Sequence, residues 1–144
     1  MFNSNETHPN HYHLLLRQDG DDSVGLLPQL VFNSYTKAFN KRYDRTGTLF
    51  EGRYQSIWVD AEGYLLHLCR YIHANPVKSR MVSRPEDRPF SNYPEWMDLR
   101  EGVLVDRDFV AESFPQRAHY RQFVTDYLDG LGTLPEGIEP YLLD

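Results

Sequence analysis

The stretch "PNHYHLLL", residues 9–16, decides how the chain is read. It is a short apolar run with an aromatic residue inside it. The turn-rich "RQDGDDS" of residues 17–23 closes it, which predicts a β-strand over 11–16. Strand side chains alternate, so His11, His13 and Leu15 share one face while Tyr12, Leu14 and Leu16 share the other. Two imidazoles on one face can share a metal ion. Taken alone, such a pair is more often a surface or packing feature, because a metal site needs a third ligand and a supporting shell.

Working outward, Asp22 or Ser23 is placed to cap a helix from about 24 to 43. Leu27, Leu30, Val31, Ser34 and Ala38 form one stripe on it, and Pro28 falls in the first turn, where its missing N–H costs little. "YDRTG" (43–47) is a turn. After a glycine kink, "RYQSIWV" (53–59) predicts a second strand. A second helix is expected over 61–74, capped by Asp60, with Leu65, Leu68, Cys69 and Ile72 as its buried stripe. Pro76 should stop it near Asn75. Beyond Val77 the chain is loop-like, with Pro85, Pro89 and Pro94. Short helices are expected over about 106–113 and 117–129. The order strand, helix, strand, helix and helical tail makes the class α+β.

A length of 144 residues suits one domain with a real core. No run is long and apolar enough to span a bilayer, and the N-terminus lacks the basic start and apolar stretch of a signal peptide. The single cysteine, Cys69, excludes an internal disulfide and a cysteine-cage metal site, which fits a reducing cytoplasm. The net charge of −6 argues against a nucleic-acid partner, but its distribution does not. Residues 31–90 carry ten basic and six acidic groups, while both flanks are acidic. A basic middle on an acidic protein is compatible with a local phosphate-binding surface, and equally with a solvated helix face.

A second cluster lies in "CRYIHANPVKSR", residues 69–80. Tyr71 and Asn75 are four apart on the helix and share a face, with His67 a turn earlier. The face borders the apolar stripe, which would pack the tyrosine ring and present its hydroxyl at an edge. By itself this describes an amphipathic core tyrosine and a helix-terminating asparagine. Its co-occurrence with the histidine pair and a basic connecting segment gives it weight.

"PNHYHLLL", "YTKAFNKRYDRTGTLFEGRYQSIWV", "YLLHLCRYIHANPVKSRMV" and "PEDRPFSNY", in this order and spacing, resemble the REP-associated tyrosine transposases of the HUH endonuclease superfamily. The similarity covers about residues 8–95, and "AHYRQFV" in the tail also looks like that family. The resemblance implies a ferredoxin-like α+β fold with an antiparallel sheet and packed helices. It implies a catalytic domain over 1–95 and a helical extension over 96–144 packed on it. It makes His11 and His13 ligands of Mg²⁺ or Mn²⁺, Asn75 the third polar ligand and Tyr71 the nucleophile. The expected partner is single-stranded or hairpin DNA, with a cytoplasmic, nucleoid-associated location, no membrane, and either a monomer or a homodimer. Only ten residues precede His11, where the family carries a strand and a helix, so the chain is expected to be N-terminally truncated.

The residue types suit phosphodiester cleavage. That reaction needs a nucleophile in line with the leaving 3′ oxygen and a cation to absorb charge on the phosphate. A 5′-phosphotyrosine link keeps the bond energy, so a second 3′-OH can reverse the step and join strands. Lys41, Arg42, Arg45, Arg53, Arg70 and Lys78 are candidates for backbone contacts, with Arg53 and Lys41 foremost. Tyr54, Tyr35, Tyr43 and Phe50 are candidate stacking partners. His8, His67, His73 and His119 are not expected to be ligands. Three functions of different classes remain open: an active transposase, a DNA-hairpin-binding remnant without turnover, and a non-nucleic-acid protein with a fortuitous metal site.

Overall fold

The computed structural model describes residues 2–7 and 11–142, with residues 2–7 and 62 as backbone only. His8, Pro9 and Asn10 lie outside the described residues. Strands β1 (Phe2–Thr7) and β2 (Tyr12–Leu16) pair antiparallel, with Glu6 opposite His13 and Thr7 opposite Tyr12. Helices α1 (Leu26–Arg42), α2 (Glu62–Lys78), α3 (Tyr93–Trp96), α4 (Arg107–Ser113) and α5 (Arg117–Leu128) come after them. The chain is therefore mixed α+β, with helices as most of its regular structure. It divides into two compact units, residues 1–17 with 57–144, and residues 18–56.

The first unit is built on α2. Leu68, Cys69, Tyr71, Ile72 and Ala74 are buried on it, close to the stripe expected from helical spacing. The core they enter is completed by Tyr93, Trp96, Met97, Val105, Val110, Tyr120 and Val124. Residues beyond 95 thus share one core with α2, and Leu15 from β2 packs against it. Trp96 sits at the centre, its ring 4.4 Å from that of Tyr120 and 6.0 Å from Phe109. Such tilted and edge-on pairs add to the area that burial removes from water.

The helix α2 does not stop before Pro76. It runs through it to Lys78, and Ser79 N–H closes the last turn by donating to the Asn75 carbonyl at 2.8 Å. Pro76 lacks a donor, but it stands in the last turn and is fully buried, so packing outweighs the lost hydrogen bond. The residue before the helix is Ala61, not Asp60. Asp60 instead accepts a hydrogen bond from the Tyr141 hydroxyl at 2.7 Å. The consequence for the site is that Asn75 remains helical, one turn beyond Tyr71.

The strand expected over 53–59 is absent from the described ladder: residues 53–60 run as irregular chain, and Tyr54, Ile57 and Trp58 are exposed. Gly52, at φ 80°, turns the chain there, and among the described residues no strand pairs with 53–60. The tail helices fall where helical spacing put them. Asp106 caps α4 by accepting the Phe109 N–H at 3.1 Å and also pairs with Arg17, at the end of β2. This buried carboxylate joins the β-ribbon to the tail. Asp106→Ala removes the cap and its ion pair with Arg17, at an expected cost of about 2–3 kcal/mol. Thermal unfolding followed by circular dichroism should show a loss of about 8 °C.

In the second unit, α1 begins one residue after Gly25, with Pro28 in its first turn as expected. Ser23 serves the preceding turn, its Oγ accepting the Gly25 N–H at 3.3 Å. Asp44 (φ 48°) and Gly47 (φ 91°) make the "YDRTG" turn, which the Asn40 side chain ties by donating to the Gly47 carbonyl at 2.8 Å. Pro28 is buried, and Phe32 lies 5.1 Å from Phe50. The stripe read from the sequence exists but is uncovered: Leu27, Leu30 and Val31 are all exposed.

Candidate functional site

Strand alternation and the helix α2 bring the two sequence clusters together. The rings of His11 and His13 are 5.2 Å apart and perpendicular, as expected for residues two apart on one face. The His13 ring lies 6.3 Å from that of Tyr71, again edge-on at 81°, although 58 positions separate them in sequence. His11 is exposed and His13 half-buried. Tyr71 is 8% exposed and Asn75 7%, so both sit at the rim of the core with little surface open. Tyr71 belongs to the core cluster, so its ring is packed.

The donor set bears on which ion these residues would fit. Imidazole nitrogens bind a first-row ion at about 2.1 Å, which sets two ligand rings about 5 Å apart. The His11–His13 separation fits this. Asn75 stands one turn from Tyr71 on α2, and the amide oxygen of its side chain is the third ligand that the family resemblance implies. Among the described residues no three His, Cys, Asp or Glu side chains form a metal cluster. The set that the resemblance implies is two imidazoles and one amide. Imidazole is a softer donor than Mg²⁺ prefers, so the set suits Mn²⁺ better.

The helix α2 also carries a buried polar relay on its other side. His73 is fully buried among Tyr93, Trp96 and Tyr120. Its Nε2–H donates to Asn92 Oδ1 at 2.8 Å, and its Nδ1 accepts from the Tyr120 hydroxyl at 2.6 Å. Both bonds are satisfied by one neutral tautomer. Burial pushes its pKa down to about 4 and raises that of Tyr120 well above the ordinary range. His73 is thus a core histidine facing away from Tyr71, as helix geometry requires.

The basic candidates divide sharply. Arg70 is only 2% exposed. Its guanidinium stacks over the rings of Phe123 at 4.1 Å and Tyr127 at 4.7 Å, donates to the Thr133 carbonyl at 2.8 Å and meets His67 Nδ1 at 2.9 Å. Its charge is spent inside the fold, so in this structure it does not offer itself to a phosphate. That corrects the expectation of a backbone contact there. The helical period puts Arg70 beside Tyr71, but the aromatic slot that takes it comes from α5, out of reach of a local reading. Burial first, and then the neighbouring Arg70, lower the pKa of His67.

Lys78 is exposed, with its ammonium 3.0 Å from the Tyr127 hydroxyl and over that ring at 4.2 Å. Lys41, Arg42, Arg45, Arg53 and Tyr54 all belong to residues 18–56 and are exposed. Arg42 and Arg45 lie over the rings of Tyr43 and Phe39 at 5.9 and 5.7 Å. Sequence reasoning misses Trp58, which is 74% exposed. Its place at the end of an expected strand hides it. His119 is exposed. Compared with known proteins, the chain matches no family model, no curated protein and no solved structure. Among the described residues, no helix is long and apolar enough to cross a membrane.

Proposed function

We propose that this protein is a metal-dependent, single-strand DNA nicking and joining enzyme of the tyrosine-transposase type. The observation that carries the reading is the 6.3 Å approach of the His13 ring to Tyr71. It brings one histidine of the strand pair beside a tyrosine whose helix carries an asparagine one turn further on. The reading extends to the fold, taking the β1–β2 ribbon and α2 as the site-bearing pieces of a ferredoxin-like layer.

In this reading Tyr71 Oη attacks the scissile phosphorus. A phosphotyrosine bond forms to the 5′ side, the P–O3′ bond breaks, and the leaving 3′ oxygen takes up the proton that the phenol gives up. Attack by a second 3′-OH runs the step in reverse and joins the strands. His11, His13 and Asn75 would hold Mn²⁺ or Mg²⁺, which when bound supplies positive charge to the phosphate. The packed ring of Tyr71 fixes where the hydroxyl is and leaves it little freedom to lose on reaction. A single strand or a hairpin end leaves the backbone accessible to a nucleophile so fixed. In the unit that carries Tyr71, exposed Lys78 is the candidate to hold that backbone; within residues 18–56, exposed Lys41, Arg42, Arg45 and Arg53 are candidates for backbone contacts and Tyr54 for stacking on a base.

A second reading, a hairpin-binding remnant without turnover, is favoured by the burial of Tyr71 and Asn75. Incubation with hairpin-containing single-stranded DNA and Mn²⁺ separates the two. The nuclease reading predicts a covalent adduct that resists denaturant and is lost with chelator or with His11→Ala plus His13→Ala. Retained binding with no adduct under any divalent ion would establish the remnant instead.

A further inference from the structure

Strand alternation through β2 puts His11, His13, Leu15 and Arg17 on one side of the chain. That side is turned to the core at three successive steps. His13 meets the Tyr71 ring, Leu15 packs against the core cluster, and the Arg17 guanidinium pairs with Asp106. Asp106 is 1% exposed, and among the described residues it is the one carboxylate so buried. A carboxylate taken out of water has to be paired and hydrogen-bonded. Its Oδ1 accepts the Phe109 N–H at the start of α4, and its Oδ2 takes Arg17. With each oxygen committed to one partner, the point to which Arg17 must come is set by α4 and not by the strand.

We propose that Arg17 is a positioning residue for the histidine pair: its pairing with Asp106 holds β2 in the register that sets His13 against Tyr71. Among the described residues the ribbon has two strands and no further sheet, and a lone two-stranded ribbon is marginal in water. Its ladder is also irregular at the end from which Arg17 leaves. The register shifts between Phe2 and Ser4, opposite Leu16 and Leu15. Backbone pairing therefore leaves that end poorly fixed, and a slip of one residue would turn His11 and His13 to the other face. The ion pair opposes that slip, because it would carry Arg17 away from a buried acid. Arg17 is four residues from His13, about 13 Å along an extended strand, so it acts on the histidines through the strand rather than by contact. This role rests on the reading of His11, His13 and Tyr71 as one site, but not on turnover there.

Nuclear magnetic resonance of the DNA-free, metal-free full chain, with isotope-labelled His and Tyr rings, reads the geometry directly. The wild type should show a nuclear Overhauser cross-peak between the edge-on rings of His13 and Tyr71. Arg17→Gln should lose that cross-peak while circular dichroism shows a folded protein, and Arg17→Lys, which keeps the charge, should recover it. Asp106→Asn gives a second route, since an asparagine still caps α4 but carries no charge, and the cross-peak should be lost there too. With hairpin DNA and Mn²⁺, Arg17→Gln should slow adduct formation about 10- to 100-fold and leave hairpin affinity unchanged. An ion pair that only stabilises the fold would lower the unfolding temperature and leave the cross-peak in place. A folded Arg17→Gln protein that keeps the cross-peak therefore overturns the proposal, as does a wild type without one. A cross-peak that depends on Arg17, in a protein that forms no adduct, upholds the positioning role and removes the nuclease reading instead.

Discussion

Tyr71→Phe is expected to abolish the covalent protein–DNA adduct while leaving the fold and hairpin binding intact. The substitution removes one oxygen and keeps the ring that packs in the core, so stability should change by less than about 1 kcal/mol. Among the described residues, Tyr71 is the tyrosine whose ring contact with His13 is shown. Tyr93 and Tyr120 are buried away from the histidine pair, with hydroxyls that burial makes harder to ionise, Tyr93 up to about 12. A phenolate-like nucleophile does not arise in such places. Gel-resolved adduct with labelled DNA, read beside thermal unfolding, checks both halves. Full adduct in a folded Tyr71→Phe protein would remove this residue from the reaction.

His73 supports the second large effect, on stability. Its pKa is pushed down to about 4 by burial, against about 6.5 in an unfolded chain. The folded protein therefore binds the proton less readily than the unfolded one. The contribution of neutral His73 to stability is complete above about pH 6.5. It is lost progressively as pH falls from there towards 4, by up to about 3 kcal/mol. His73→Ala opens a cavity beside Trp96 and takes away the partner of the Tyr120 hydroxyl, so it should cost about 4 kcal/mol at pH 7. Urea unfolding at pH 7 and pH 4.5 measures both effects. The wild type should lose more stability over that interval than the variant does. Equal losses would show that His73 is not the group that titrates.

These expectations show which features local sequence signals carry. The tail helices were legible because Asp106 is a cap with the helical period behind it, and the two clusters because alternation on β2 and a four-residue step on α2 are strictly local geometry. The end of α2 was not, because Pro76 obeys a local rule only until a core forms around it. The strand at 53–59 needed a ladder partner that no local pattern reports. β1, "FNSNET", offers no apolar alternation to announce it. The 6.3 Å meeting of His13 and Tyr71, like the burial of Arg70 between Phe123 and Tyr127, depends on tertiary packing. In the first case the resemblance implied that the two clusters share a site, which local geometry did not. In the second, nothing local distinguished a stacked arginine from a solvated one.

Trypsin offers the most direct measurement on the central claim. Cleavage after Arg70 and Lys78 releases YIHANPVK, residues 71–78, a peptide with one tyrosine. The adduct formed on hairpin DNA with Mn²⁺, digested by nuclease and then trypsin, should yield this peptide carrying a nucleotide through a phosphate on Tyr71, identified by fragmentation mass spectrometry. A nucleotide found on any other tyrosine, or YIHANPVK recovered wholly unmodified from conditions in which the DNA is cut, would contradict the account.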